Sequence, residues 1–78
     1  MATKREEIEA MADGHGCLGK AADNEPLFIL RAQDVIAPQI VEEWIRVAQG
    51  YGTNTAKLDE ARQLVMKMRA WPTRKIPD

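Results

Sequence analysis

"PQIVEEWIRVAQGYGTNTAKLDEARQLVMKMRAW", residues 38–71, is the stretch on which the fold turns. Ile40, Val41, Trp44, Ile45, Val47 and Ala48 recur at steps of three and four and share one helical face, with Glu42, Glu43, Arg46 and Gln49 off it. Beyond the turn "GYGTNT", Leu58, Ala61, Leu64, Val65, Met68 and Trp71 repeat the pattern. Pro38 suits a first helical turn, where its missing N–H is no loss. Gly50 ends the first helix, Asn54 or Thr55 caps the second, and Pro72 stops it. Glu42 and Arg46 form an i,i+4 pair. Asp59 and Glu60 in the first turn of the second helix, and Lys67 and Arg69 in its last, suit the helix dipole. The expectation is an antiparallel helical hairpin, about 38–49 and 55–70, with Trp44 and Trp71 in its core.

Working outward, Thr3 and Glu6 spell a capping box that opens a short helix, about 4–12. Ile8, Met11 and Ala12 follow at helical spacing, and Gly14 supplies a stop. Residues 13–26 read as a glycine-rich loop. "LFILRAQ", residues 27–33, fits a short buried strand or a buried helical turn. Phe28 and Ile29 favour the strand, a lone one whose partner would come from a second subunit. The fold class is therefore mainly α, one small domain over residues 1–78.

Size and charge bound the function. A chain of 78 residues buries only about 60–65% of its unfolded surface, so homo-oligomerisation is expected as a supplement. A net charge of −1 gives no general pull toward nucleic acid or anionic membrane. The longest apolar run, Leu27–Leu30, is too short to span a bilayer. The opening "MATKREEIEAM" lacks the apolar core of a secretory signal, and the single cysteine, Cys17, excludes an internal disulfide. A cytoplasmic setting is the expectation.

"GHGCLGKA", residues 14–21, matches two phosphate-binding patterns at once. Gly14, Gly16 and Gly19 spell G-x-G-x-x-G; Gly14, Gly19 and Lys20 spell G-x-x-x-x-G-K, with Ala21 where a magnesium-ligating hydroxyl belongs. Both patterns require a strand before and a helix after. Here a capped helix precedes and "AADNEP" follows, so neither true motif is expected. What survives is an anion-binding nest of backbone N–H groups with His15, Gly16, Gly19 and Lys20.

"RAQD", residues 31–34, adds Arg31, whose planar fork suits a carboxylate or phosphate, and Asp34. The tail adds Arg74 and Lys75. These eight residues form the candidate ligand-binding set. The plain alternative pairs Arg31 with Asp34 or Glu43 and uses Asp34 as a helix cap. Tyr51, Met66 and Trp71 form a candidate partner-binding set, because Met66 falls off its helix's apolar face.

His15 and Cys17 are too few for structural zinc, and as a base and nucleophile they weigh less than a plain thiol. No catalytic set, metal or cofactor is expected, and the chain does not read as an enzyme. The hairpin makes a poor helix-turn-helix: its connector is long, and Asp59 and Glu60 open the would-be recognition helix.

"EPLFILRAQDVIAPQIVEEW", with the ending "MRAWPTRKIPD", resembles small uncharacterised phage and prophage proteins over most of residues 14–78. That group brings no activity or site residues to carry across. The resemblance implies an accessory protein that works by binding and counters host defence. Two expectations follow. One is sequestration of a small anionic, nucleotide-like ligand by the 14–20 loop, Arg31 and the tail. The other is a protein-binding inhibitor or adaptor acting on a host protein through a helix face.

Overall fold

A computed structural model describes residues 2–77. The architecture is mainly helical: α1 Lys4–Ala12, α2 Gly16–Lys20, α3 Ala37–Gly50 and α4 Thr55–Arg69. α3 and α4 pack as the antiparallel hairpin, and α1 packs on α2; no helix of one pair comes within contact of the other.

α3 begins with Pro38 in its first turn, as expected. It runs through Gly50 to a C-cap at Tyr51, and the chain reverses at Gly52 with φ 81°. The Asn54 side chain caps α4 by accepting from the Ala56 N–H at 2.8 Å. Because α4 starts at Thr55, Asp59 and Glu60 lie one turn further in than the dipole argument placed them. Lys67 and Arg69 do occupy its last turn.

The core consists of Ala37, Val41 and Ile45 from α3 with Leu58, Ala61, Val65 and Met68 from α4. Leu30, Ala32, Ala48 and Leu64 pack around it. Ala37 and Ala61 are wholly buried. Fully burying an aliphatic side chain contributes about 1.5–3 kcal/mol. The Arg69–Glu42 ion pair joins the two helices with both side chains about half exposed, and such pairs contribute at most about 1 kcal/mol. The core therefore holds the hairpin.

Four expectations are corrected. Trp44 and Trp71 lie outside the core, 42% and 52% exposed: α3 carries a wider apolar arc than one neighbouring helix can cover, and Trp71 falls beyond the end of α4. Arg46 pairs with Glu43 at i,i+3, at 2.5 Å, while Glu42 reaches across to Arg69. That contact lowers the pKa of the exposed Glu43, the hydrogen bond from Arg46 being the largest cause.

Residues 27–33 form no strand: within the stretch only the Arg31 and Gln33 carbonyls are engaged, by the Asp34 turn and by the Lys75 N–H, and from Leu27 to Leu30 no segment pairs with the backbone. Residues 13–26 are not all loop, since Gly16–Lys20 makes the short helix α2.

One connection was not visible in the sequence. The tail folds back on the segment before α3 and forms a single parallel bridge, Asp34 to Lys75. The Lys75 N–H donates to the Gln33 carbonyl at 2.7 Å, and the Val35 N–H donates to the Lys75 carbonyl at 2.9 Å. Arg74 donates to the Val35 carbonyl at 3.1 Å and to the Arg69 carbonyl at 3.4 Å. This strap ties the end of α4 to the start of α3.

Candidate functional site

Seven of the eight expected ligand residues, all but Arg31, fall into two groups. His15, Gly16, Gly19 and Lys20 belong to the α1–α2 turn. Asp34, Arg74 and Lys75 meet in the strap at the base of the hairpin. The helices α1 and α2 around the first group make no contact with α3 or α4, whose ends flank the second.

The glycine pattern has a structural explanation. Gly14 and Gly16 adopt φ of 71° and 73°, the left-handed region that reverses the chain between α1 and α2. At Gly19 a Cβ would lie 3.0 Å from the Gly14 carbonyl carbon and 3.2 Å from the Met11 Cα, so any side chain there would push the turn backbone by a few tenths of an ångström. Turn, turn and close approach are three separate needs, and together they generate G-x-G-x-x-G without a nucleotide.

The backbone N–H groups of this turn are largely engaged by the chain itself. Those of Asp13 and His15 donate to the Ala10 carbonyl, and that of Gly14 to the Met11 carbonyl. The Leu18 N–H, in the first turn of α2, donates to the Glu7 carboxylate at 3.4 Å. An internal carboxylate thus stands where a bound anion would sit. His15 is the exposed N-cap of α2 without a side-chain cap bond, and Cys17 is exposed beside it. Among the described residues no group of three or more His, Cys, Asp and Glu gathers to hold a metal ion.

Arg31 is exposed and makes no ion pair among the described residues, neither with Asp34 nor with Glu43. Asp34 contributes its backbone carbonyl, not its side chain, to the start of α3, accepting from the Ala37 N–H at 3.0 Å. Arg74 spends its guanidinium on two carbonyls of the strap.

The expected partner-binding residues do not form one patch. Tyr51 stands at the connector end of the hairpin and Trp71 at the opposite end, about 20 Å away along α4. Met66 lies one turn before Arg69, on the side where Arg69 reaches Glu42.

What sequence reasoning missed is a second apolar stripe on α3. Ile40, Trp44, Val47 and Tyr51 are spaced 4, 3 and 4 and fall within about 60° of arc. They are 44%, 42%, 42% and 88% exposed. The signal was present in the sequence, in an apolar arc wider than one helix–helix seam needs. Two open surface depressions elsewhere are lined by Lys4, Arg5, Ile8 and Glu9, and by Ala56, Asp59, Glu60, Gln63 and Lys67. Neither contains an expected ligand residue. Among the described residues no helix is long and apolar enough to cross a membrane.

No family model matches the chain, and neither a curated protein nor a solved structure is similar to it.

Proposed function

We propose that the chain is a non-enzymatic protein-binding module, an inhibitor or adaptor that receives an amphipathic helix of its partner on α3. The observation that carries this reading is the exposed stripe Ile40, Trp44, Val47 and Tyr51. Its 4-3-4 spacing is the seam a second helix packs into. Exposed aromatic side chains are the usual anchors of such contacts, since they bring large area at low entropy cost. The partner helix is therefore apolar on one stripe, with aliphatic side chains that interleave with Trp44 and Tyr51. The phage-type resemblance fits an accessory protein that occupies a host effector in this way.

Site-specific photo-cross-linking in the source cell tests it. A photoreactive residue at position 44 or 47 should give one discrete heteroprotein adduct, and the same residue at Gln63 or Met66 should not. Equal adducts from all four positions, or none from 44 and 47, would overturn the reading.

A second reading, sequestration of a small anionic nucleotide-like ligand, draws on Arg31 and Lys20. Both are exposed cations that no carboxylate among the described residues engages. A ligand at a hundredfold excess over its Kd would add about 2.7 kcal/mol to stability. A thermal-shift screen against nucleotides that gave no change, with wild type and Arg31→Ala alike, would remove it.

A further inference from the structure

Residues 26–30 run without helix, turn bond or bend. From Pro26 to Leu30 no backbone N–H or carbonyl is hydrogen-bonded among the described residues. Leu27, Phe28 and Ile29 are 50%, 84% and 67% exposed. Leu30 packs against the hairpin core and anchors the segment's end. An exposed, apolar stretch with a free row of backbone donors and acceptors is a template for strand pairing.

We propose that this segment pairs with the same segment of a second copy, as a two-stranded antiparallel ribbon with Phe28 on the twofold axis. The register follows from charge. With Phe28 facing its own copy, Leu27 faces Ile29 of the partner subunit, and Glu25 faces Arg31 of the partner subunit. Symmetry repeats both pairs, so opposite charges meet at each end of an apolar centre.

Shifting the ribbon by two residues sets Glu25 opposite Ile29 or Gln33 of the partner subunit instead. A parallel arrangement would set Glu25 against itself. Only the central antiparallel register satisfies both charges.

The backbone agrees with this register. Hydrogen-bonded pairs then fall on Leu27 and Ile29, giving four N–H to carbonyl bonds across the axis. Pro26, which has no N–H, falls on a non-hydrogen-bonded position and costs no ladder bond. The Glu25 N–H already donates to the Ala22 carbonyl, and the Arg31 carbonyl already accepts from the Asp34 N–H. Turns therefore close the ladder on both sides.

Charge reversal tests the register. Arg31→Glu alone opposes two glutamates at each end, and Glu25→Arg alone opposes two arginines. Each variant should weaken self-association about tenfold relative to wild type, read by sedimentation velocity. Mixed in equal amounts, the two variants should form the heterodimer, because every end pair is then opposite in charge. As a second measurement, Phe28→Cys in a Cys17→Ser background should oxidise to a disulfide-linked dimer, and Leu27→Cys in the same background should not. A wild-type chain that stays monomeric at millimolar concentration would overturn the proposal. So would a dimer indifferent to both reversals, which would place self-association elsewhere and leave the α3 reading intact.

Discussion

Thr3 carries more of α1 than its position near the chain's start suggests. Its hydroxyl accepts from the Glu6 N–H, and its own N–H donates to the Glu6 carboxylate, both at 3.2 Å. The side-chain bond with Thr3 is the main cause that holds the Glu6 carboxyl below its ordinary value of 4.5; the backbone bond with Thr3 comes next. The sign of the pH effect follows. A carboxyl with a lowered folded value supports α1 above the unfolded value, and that support is lost as pH falls through the folded one. Thr3→Ala should therefore return the Glu6 midpoint, followed by NMR, toward 4.5 and cost α1 about 1 kcal/mol. An unchanged midpoint would show that the capping box does not form. At this scale the sequence was legible: Thr3, Asn54 and Pro38 stand where their side-chain chemistry placed them.

At the scale of the element, the hairpin separates two kinds of apolar residue that look alike in sequence. Leu58 is 5% exposed and Trp44 is 42% exposed. Leu58→Ala should cost about 2–4 kcal/mol in urea unfolding, because it removes a buried side chain and leaves a cavity. Trp44→Ala should cost less than about 1 kcal/mol, although it deletes a larger side chain. The reverse order would place Trp44 in the core, where the periodicity alone had put it.

Periodicity gives the apolar arc of α3, Ile40 to Ala48, but not how much of it α4 covers; in the fold α4 covers Val41 and Ile45 and leaves Ile40, Trp44 and Val47 exposed. The short helix α2 was hidden for another reason. Its glycines have poor helix propensity, and Gly19 is selected by contact with Met11 and Gly14, not by local preference. The strap was hidden because Lys75 and Gln33 meet through backbone groups, which leave no side-chain signature. Arg74→Ala removes two bonds to the Val35 and Arg69 carbonyls. It should cost about 1 kcal/mol and speed exchange of the Val35 amide; unchanged exchange there would mean the strap does not depend on Arg74.

Across the whole molecule, stability and binding surface are held by different residues. The buried core lies entirely in the hairpin, and neither α1 nor α2 has a buried residue. Outside that core stand the stripe on α3 and the segment from Leu27 to Ile29, both exposed. Contiguous exposed apolar side chains mark interaction sites in small proteins, and this short chain carries two such runs. The central claim is that the hairpin with its strap is the folded unit and leaves this apolar surface outside for partners. Native-state amide hydrogen exchange at low micromolar concentration tests it most directly, because protection tracks local opening. The account predicts strong protection through α3 and α4 and at the Val35 and Lys75 amides. It also predicts weak protection in α1 and α2 and none at Leu27, Phe28 and Ile29. Protection in α1 equal to that of α4, or free exchange at Val35 and Lys75, would contradict it.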